Sequence, residues 1–567
     1  MKNGPVYTIE NECQDYYKCV RHCPCKAIQI IDAKASVIQE ACVACGMCVR
    51  VCPAHAKLIR SDLARLKQLL SSGAKVYASV APSYRAYFPG VTLGQLTSTL
   101  LSLGFAGVSE TAIGAQAVSA ETAEFLRTTE LPLVISSACP AAVDYIRKYH
   151  PEFTANIAPV HSPVLAHCRL LKQHFGDDIK VVFIGPCAAK KNEADRMPEL
   201  LSLAVTFQSF EKWLEDEDMV MSTEESPLAG EAADEGRFYA IEGGMNDTIR
   251  EAGAKVRYLA VSGLENLDRM LSQVGPLRPG GRTLFIEALA CHGGCINGPV
   301  MQAGAASLDA ILDTDATCDI RTSAKFPEQP GIGQSFRSDK VEPVAHTEDD
   351  IAAALARVGK FSKADELNCG ACGYNTCRDF AKALLENKAE EAMCHNYLRK
   401  NFERTSNALI RFIPAAVVMV DASLDICDCN RNFAKLVNMT DVYGSLGNLN
   451  TIPISSCLPD FAELFSSVIE NGGEIEKFNQ KFNSKIINIS VFTVAQGKVA
   501  GAVIQDVTQN EFHREQIAEK AREVIRKNVI TVQQVARLFG EHVADTEILL
   551  NEIAGTYEAH GEEKKQG

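Results

Sequence analysis

The middle of the chain repeats short, uninterrupted apolar runs, and each run is followed by a longer segment whose apolar residues recur at helical spacing. Lys75–Val80, Leu133–Ile135 and Lys180–Ile184 are such runs, and Gly or Pro residues lie near their ends. Strands that are buried on both faces read as continuous apolar runs, and their alternation with helices is typical of parallel sheets. The segment from residue 74 to residue 359 is therefore predicted to form an α/β fold with mainly parallel strands.

A second pattern begins near residue 401. Apolar stretches of strand length occur at Ala415–Asp421, Ile426–Asn430, Ile486–Phe492 and Val499–Ile504. One helical stretch lies near Phe433, between the second and third of these runs. This part of the chain is therefore predicted to be an α+β domain built on a sheet.

Residues 401–508 resemble a PAS domain in the order of these elements. Asp506-Val507-Thr508 is similar to the segment that leads from a PAS sheet into a signalling helix. Cys427 and Cys429 alternate with their neighbour in the second predicted strand, so strand geometry predicts that they face the same side. They are interpreted as ordinary strand residues, with a thiol pair as the alternative.

The tail from residue 509 to residue 567 is predicted to be a signalling helix or coiled coil. Its apolar residues at helical spacing are Ile517, Val524, Val532, Val535, Leu538, Phe539 and Val543. A homodimer through this helix or through the PAS domain is therefore expected. No kinase or phosphoacceptor module follows the PAS-like segment, so we expect output to pass to a separate signalling kinase or phosphatase.

Composition narrows the class of protein. A chain of 567 residues is too long for one core. Its 57 basic and 71 acidic residues give a net charge of −14, which argues against a nucleic-acid or anionic-membrane partner. The N-terminus has no apolar signal-peptide core, and the longest apolar run, Ala415–Val420, is far shorter than a membrane span. A soluble, cytoplasmic protein is expected.

The cysteines carry the chemistry. There are 21 of them, with eight between Cys13 and Cys52 and four between Cys369 and Cys394. Disulfides are rare in a reduced compartment, so clustered thiols at short, fixed spacing indicate metal or iron–sulfur ligands. Iron–sulfur clusters are therefore the expected cofactors.

The residues from 42 to 53 carry the C-x2-C-x2-C-x3-C-P run of bacterial ferredoxins. In such a run, Cys42, Cys45 and Cys48 wrap one cubane, and Cys52 binds the neighbouring cluster. A zinc site is the alternative, because pairs of cysteines two residues apart also suit zinc.

An altered copy of this run lies upstream, with Tyr16 in place of its second ligand. Cys23, which precedes a proline, can complete the site of the downstream cysteines. The other site then keeps three thiolates, from Cys13, Cys19 and Cys52. Cys25 could supply the fourth ligand; otherwise the site holds a three-iron cluster or none.

Three further loops carry cysteine at the ends of predicted strands, at Ser136–Pro140, Gly185–Glu193 and Glu287–Pro299. The carboxyl ends of parallel strands are where α/β proteins place their sites. Pro140 and Pro186 are predicted to open helices, which places Cys139 and Cys187 near helix N-termini, where the thiolate is favoured. Together the loops supply four cysteines, enough for one cubane: Cys139, Cys187, Cys291 and Cys295.

These three loops resemble the signature motifs of [FeFe] hydrogenases, and the resemblance covers Pro5–Gly359. It implies an H-cluster, in which a [4Fe–4S] cubane is joined through one cysteine to a di-iron site with CO, cyanide and an azadithiolate bridge. By this resemblance the four loop cysteines hold the cubane, and Cys295 bridges to the di-iron site. Ser83 and Lys190 would donate hydrogen bonds to the cyanides, with Pro82 and Leu289 packed beside them.

The departures from the family predict slow turnover. Ala138 stands where active members have a cysteine that relays protons, and a methyl group cannot carry a proton. Leu289 replaces a methionine. His292 replaces a proline and is interpreted as a structural residue, with a substitute relay as the alternative. Other acidic residues resemble the outer proton path: Glu121, Glu124 and Glu193.

A further cysteine group follows residue 360 with spacing C-x2-C-x4-C-x16-C. Its members are Cys369, Cys372, Cys377 and Cys394. This spacing resembles a small [4Fe–4S] domain of anaerobic redox proteins. A cluster separate from the ferredoxin-like region is therefore predicted.

Five domains follow from these features, in a multidomain α/β and α+β chain. They are a ferredoxin-like 4Fe-4S domain at 1–62, an [FeFe]-hydrogenase H-cluster domain at 63–360, a small 4Fe-4S domain at 361–400, a PAS domain at 401–508 and the helix at 509–567.

The predicted function is a sensory [FeFe] hydrogenase that oxidises H2 slowly and reversibly to protons and electrons and exchanges the electrons with a redox partner. One alternative is a non-catalytic relative without the di-iron site, similar to eukaryotic iron–sulfur assembly proteins. The other is a catabolic hydrogenase with a regulatory tail.

Overall fold

The computed structural model describes residues 4–249, 255–274, 282–301, 331–446, 449, 451–509, 517 and 519–531, with the backbone alone at 402–409, 411 and 444–446. The chain divides into two compact units, Met1–Leu398 and Arg399–Gly567. Among the described residues, no helix is both long enough and apolar enough to cross a bilayer. The division into five domains stays a prediction.

The strands, in chain order, are β1 Val6–Thr8, β2 Ile28–Ile31, β3 Lys34–Val37, β4 Lys57–Ile59, β5 Val76–Val80, β6 Gly107–Glu110, β7 Leu133–Ile135, β8 Lys180–Gly185, β9 Leu203–Thr206, β10 Val256–Ser262, β11 Thr283–Leu289, β12 Ala416–Asp421, β13 Ile426–Cys429, β14 Glu474–Phe482, β15 Lys485–Ala495 and β16 Val499–Asp506.

The α-helices of the first unit are Lys18–Arg21, Met47–Val51, Leu63–Ser71, Tyr84–Tyr87, Leu93–Ser102, Thr111–Thr128, Pro140–Tyr149, Pro163–Phe175, Lys190–Arg196, Phe207–Asp216, Gly244–Ile249, Leu264–Gln273, Glu348–Arg357 and Cys377–Leu385. His395–Phe412 crosses the boundary, and the second unit adds Arg431–Leu436, Thr440–Leu446, Ile454–Cys457 and Ala462–Asn471. Short 3-10 turns occur at Glu10–Glu12, Pro151–Asn156, Glu235–Ala240, Cys295–Asn297, Lys363–Asp365, Glu391–Met393 and Pro459–Phe461.

Two parallel sheets form the centre of the first unit. One has the strand order β6-β5-β8-β9 and the other β10-β11-β7, and every pair in both sheets is parallel. Nearly all residues of β5, β7, β8 and β9 are buried, which explains why they read as apolar runs. The predicted α/β fold with parallel strands is confirmed in this part of the chain.

The N-terminal region is built from two antiparallel strand pairs, β1 with β4 and β2 with β3. The short helices Lys18–Arg21 and Met47–Val51 lie inside the two cysteine runs. Gly46 starts the second helix in a left-handed conformation with φ +75°, where a Cβ atom would meet Pro299 at 2.4 Å. Only glycine fits here, so this position brings the cysteine run close to the loop after β11.

The segment around residues 369–394 packs against the N-terminal region within the same unit. The Tyr17 hydroxyl donates to Glu390 Oε2 at 2.6 Å, and the Ile30 amide donates to the Asn387 carbonyl at 2.6 Å. Their side chains also share one hydrophobic core. The two predicted cluster regions are therefore in direct contact.

One helix start differs from its prediction. Pro140 opens its helix and Cys139 is the N-cap, as expected. The helix predicted to open at Pro186 begins only at Lys190, so Cys187 lies in the loop before it. The prediction for Pro186 was wrong, because a proline can also sit in a loop that the strand β8 feeds directly.

The second unit contains a five-stranded antiparallel sheet with the order β13-β12-β16-β15-β14. The pairing of β12 with β13 jumps from Val420 opposite Ile426 to Met419 opposite Asp428, which leaves Cys427 without a partner residue in the ladder. Cys427 is exposed and Cys429 is only 4% exposed. The prediction that both face one side was wrong, because a bulge breaks strand alternation.

The structure describes only the start of the predicted C-terminal helix, so the prediction is compared with the structure there alone. Residues 519–531 are helical, and Val524 is 56% exposed. The remaining apolar positions of the predicted coiled coil lie outside the described residues: Val532, Val535, Leu538, Phe539 and Val543.

Candidate metal centres

One cavity collects the cysteines of all three strand-end loops. It has a volume of about 90 Å³, and Cys139, Cys187, Cys291 and Cys295 all line it. Cys139 follows β7, Cys187 follows β8, and the other two follow β11. Because parallel strands bring their carboxyl ends to one side, residues far apart in sequence meet here.

Glycines between the last two cysteines allow this loop to close. Gly293 and Gly294 have φ angles of +72° and +101°. A Cβ atom at Gly294 would lie 2.6 Å from the Ala240 carbonyl oxygen. A side chain at this position would therefore push the loop away and separate Cys291 from Cys295.

Burial keeps three of the four loop thiols neutral unless a cation joins them. It raises the pKa of Cys187 to about 11 and that of Cys295 to about 12, with the neighbouring cysteines adding to both shifts. Burial likewise raises the pKa of Cys291 well above its usual value. Four thiolates can coexist here only with a positive partner, which the iron of a cubane supplies.

Two hydrogen-bond donors face the same cavity. The Ser83 hydroxyl lines it, is buried and has no hydrogen-bond partner within the described part of the chain. The Lys190 ammonium also lines it; it donates to Ser162 Oγ at 3.0 Å and pairs with Glu193 Oε2 at 2.7 Å. An unpaired buried hydroxyl and an ammonium suit anionic ligands such as cyanide, so these residues fit a di-iron group.

The remaining predicted lining residues are apolar. Pro82, Ala138 and Leu289 all line the cavity, as the resemblance implied. Such a wall excludes water from the space beside the four cysteines.

Two ion pairs, one of them fully buried, hold the helix that begins with Lys190. The Lys191 ammonium is fully buried and lies 3.0 Å from the Asp62 carboxylate, which is 1% exposed. Asp195 pairs with Arg60 at 2.8 Å. Arg60 and Asp62 lie in the segment that connects the ferredoxin-like region to β5. This segment therefore holds the helix in place from one side.

The outer proton-path residues do not reach the cavity. Glu124 is 63% exposed and pairs with Arg127 at 2.7 Å, and Glu121 is half-buried. Glu193 contacts Lys190 rather than the cavity wall. His292 is 48% exposed, lies 2.5 Å from Glu265 and lines a different cavity. The structure therefore does not bring His292 to the place of the missing relay.

Two cavity residues were missed from the sequence. Glu287 in β11 is 1% exposed, and burial raises the pKa of its carboxyl group to about 7. Its Oε2 accepts a hydrogen bond from the Asn246 amide at 3.2 Å. Met245 is buried and lines the cavity, so a thioether is present although Leu289 replaces the expected one. The sequence feature that could have identified Glu287 is a carboxylate within an otherwise apolar strand.

The N-terminal cysteines separate into two groups. Cys23 lies with Cys42, Cys45 and Cys48; the hydrogen bond from the Cys25 thiol is the main reason that the pKa of Cys23 falls to about 6. The Cys25 thiol thus lies beside Cys23, and its role as a ligand stays a prediction.

The other group is Cys13, Cys19 and Cys52, and burial raises the pKa of Cys19. Tyr16 does not substitute for the missing ligand, because its side chain is 52% exposed and donates to Gln14 Oε1 at 2.9 Å. The Lys57 ammonium is buried near Cys19 and, among the described residues, has no carboxylate partner. It donates to the Ala35 carbonyl at 2.7 Å.

The cysteines of the third group share one small cavity: Cys369, Cys372, Cys377 and Cys394. Gly370 lines it, with a φ angle of +72°. Tyr374 also lines it, and the Lys26 ammonium lies 5.1 Å from the centre of its ring. Lys26 is one residue from Cys25, so these two side chains lie between two cysteine groups.

Within the described residues, no three His, Cys, Asp or Glu side chains are close enough to share one metal ion. The four thiolates of a cubane bind four different iron atoms and stand further apart than the ligands of one ion.

Three families match separate parts of the chain. Iron only hydrogenase large subunit, C-terminal domain, matches residues 74–299. A 4Fe-4S binding domain matches residues 35–57, and an Fe-S cluster family matches residues 365–395. These segments contain the loop cysteines, the intact ferredoxin run and the third cysteine group.

The individual relatives align with this chain over only part of their own length. Iron hydrogenase 1 from Clostridium pasteurianum is 27% identical over 308 residues, which are 43% of this chain and 53% of that protein. A cytosolic Fe-S cluster assembly factor from Yarrowia lipolytica is 29% identical over 206 residues, 32% of this chain and 41% of that protein. A solved [FeFe]-hydrogenase variant from Chlamydomonas reinhardtii is 18% identical, with coverage of 50% of this chain and 100% of that chain and a TM-score of 0.37. The chain thus spans about half the length of the curated relatives that it matches.

Proposed function

We propose, from the premise that this chain belongs to the [FeFe]-hydrogenase family, that it is a sensory hydrogenase. It oxidises H2 slowly and reversibly to protons and electrons and passes the electrons through iron–sulfur clusters towards a signalling domain. The observation that carries the proposal is the cavity shared by four loop cysteines, Lys190 and Ser83.

The chain's own residues hold and orient the group. Cys139, Cys187, Cys291 and Cys295 would hold the cubane, with Cys295 as the thiolate shared with the di-iron site. The Lys190 ammonium and the Ser83 hydroxyl would donate hydrogen bonds to its cyanides, while Pro82 and Leu289 would keep water away. When bound, the H-cluster supplies the heterolytic cleavage of H2 and takes up the electrons.

Slow turnover follows from the residue at position 138. Its methyl group faces the cavity and can neither accept nor donate a proton. Loss of a positioned acid–base group typically costs ~10²–10⁴ in rate. Such a rate suits a detector, which has only to equilibrate its clusters with the surrounding hydrogen.

The second unit is proposed to be a PAS domain that receives the signal. Its five-stranded antiparallel sheet, with helices between the second and third strands, supports this assignment. The helix His395–Phe412 begins directly after Cys394 and leads to β12. We further propose a homodimer, a separate kinase or phosphatase as the output partner, and a cytoplasmic location, where the cysteines stay reduced.

A non-catalytic Fe-S assembly factor is the second candidate, favoured by the match to the Yarrowia lipolytica protein. This candidate predicts cubanes without a di-iron site. It leaves the unpaired Ser83 hydroxyl at the cavity without a ligand to bind.

Chemical reconstitution separates the two candidates. Iron and sulfide alone should fill the cubanes and give no hydrogen-dependent dye reduction. Addition of a synthetic di-iron precursor should then produce slow dye reduction under H2. Full cubane content with no activity after the precursor supports the assembly factor instead.

A further inference from the structure

The two N-terminal cysteine runs differ in one buried residue that follows each of them. In both runs an alanine, Ala27 or Ala56, lies three residues after the final Cys-Pro pair, and the next residue begins a strand. That residue is Ile28 in β2 and Lys57 in β4, and each is 2% exposed. An apolar side chain suffices at this place in the first copy, and burial of a cation is costly. The lysine therefore has a reason other than the packing of its strand.

The contacts of Lys57 satisfy its hydrogen bonds but not its charge. The ammonium donates to the Thr8 hydroxyl and, at 2.7 Å, to the Ala35 carbonyl. No carboxylate among the described residues pairs with it, whereas the equally buried Lys191 pairs with Asp62 at 3.0 Å. A buried cation without a counter-charge destabilises the folded protein. An anion that the protein binds near Lys57 would remove this cost.

Strand β3 holds Lys57 beside the group of three cysteines. Ala35 accepts the hydrogen bond from Lys57, and its neighbour Lys34 donates to the Cys13 carbonyl at 2.6 Å. Burial raises the pKa of the Cys19 thiol, and the Lys57 ammonium is the strongest charge that opposes this shift. At Cys48, in the intact group, the neighbouring thiols act more strongly than Lys57 does. The charge of Lys57 is thus directed mainly at the incomplete group.

We propose that Lys57 is the buried counter-cation of an iron–sulfur cluster held by Cys13, Cys19 and Cys52, and that it raises the reduction potential of this cluster. A cluster bound by thiolates carries the negative charge that the ammonium lacks, and an empty site would offer only neutral thiols. Reduction adds one electron and makes the cluster more negative, so a nearby positive charge favours the reduced form. The inference goes beyond the proposed function, because it holds with or without a di-iron centre in the loop cavity.

The test uses the full chain reconstituted with iron and sulfide alone. Cys19→Ala should lower the iron content by one cluster, and the EPR signal that it removes belongs to the proposed site. Lys57→Gln and Lys57→Met should each lower the midpoint potential of that signal. At a fixed applied potential, the ratio of reduced to oxidised cluster should then fall about tenfold. Glutamine can still donate to Thr8 and Ala35, so equal shifts in the two variants assign the effect to charge rather than to these contacts.

Lys172→Gln is the matched control, because Lys172 is also buried and its ammonium donates to the carbonyls of Asp177 and Ile179. It lies in the helix Pro163–Phe175, outside the cysteine runs, and its replacement should change neither the iron content nor the potential. Unchanged iron and an unchanged spectrum in Cys19→Ala would show an empty site and overturn the proposal. An unchanged midpoint in Lys57→Gln, or an equal shift in Lys172→Gln, would overturn it as well.

Discussion

The proposal of slow turnover depends most directly on Ala138. It lines the same cavity as the four loop cysteines, beside Cys139. No rearrangement is needed to place a thiol there, because the backbone position is already at the cavity wall. A cysteine at this position would restore a group that titrates near pKa ~8.5.

Ala138→Cys is expected to raise proton-limited turnover by about 10–10³-fold without changing the iron content. The readouts are the rate of hydrogen-dependent dye reduction, its solvent isotope effect and iron per chain. A flat rate with the di-iron group intact would mean that another group relays the proton. The structure would then favour Glu287 over His292, because Glu287 lines the cavity and His292 does not.

The grouping of the candidate ligand cysteines could be predicted from the sequence, because an iron–sulfur cluster imposes its geometry on the loops that hold it. The position of Cys25 could not, since Cys23 and Cys25 are only two residues apart and the local turn decides which cluster each one faces. Glu287 could not be assigned either, because β11 reads as a buried strand whether or not one of its residues meets a cavity. The place of His292 between Cys291 and Cys295 could not decide between a structural residue and a relay; in the structure it pairs with Glu265 and lines a different cavity.

At the scale of elements, the helix Lys190–Arg196 depends on buried charge. Burial alone would lower the pKa of Lys191, and the Asp62 carboxylate opposes this effect. Arg196, at the end of the helix, pairs with Asp144 at 2.7 Å, and that carboxylate is 2% exposed. The helix is thus tied at both ends, and Lys190 is held at the cavity by contacts outside the site.

Asp62→Asn is expected to destabilise the protein by about 3 kcal/mol, because it leaves the Lys191 ammonium buried without its carboxylate. Asp62→Asn/Lys191→Met should lose less, because the fully buried ammonium is then absent, Arg60 keeps its pair with Asp195 and Arg65 is 53% exposed. Denaturant unfolding of the three proteins measures this.

The control for this series is Glu217→Gln, which breaks the pair with Lys67, in which both side chains are more than 40% exposed. Its unfolding midpoint should match that of wild type. An Asp62→Asn loss no larger than that of Glu217→Gln would show that the buried pair does not hold the helix.

Parallel strands were predictable because burial on both faces leaves a continuous apolar run. Local breaks in regularity were not. The bulge at Cys427 depends on how β12 and β13 pair, and pairing is a tertiary property. The late helix start after Pro186 depends on the path of the loop from β8, which the proline alone does not determine.

At the scale of the whole molecule, three cysteine groups and the loop cavity belong to one compact unit. The Lys26 and Tyr374 pair joins the ferredoxin-like region to the third cysteine group, whose last member directly precedes the helix His395–Phe412. These regions contact one another, so the proposed function has a continuous path for electrons from the cavity to the start of this helix.

The central claim is that the cavity holds a di-iron centre with CO and cyanide ligands, and infrared spectroscopy after loading with the di-iron precursor tests it most directly. The account predicts sharp CO and cyanide stretching bands in the wild-type protein. It predicts none in Cys295→Ala, which lacks the bridging thiolate. A cubane-filled wild-type chain that never shows these bands, under conditions that load a known [FeFe] hydrogenase, would contradict the account.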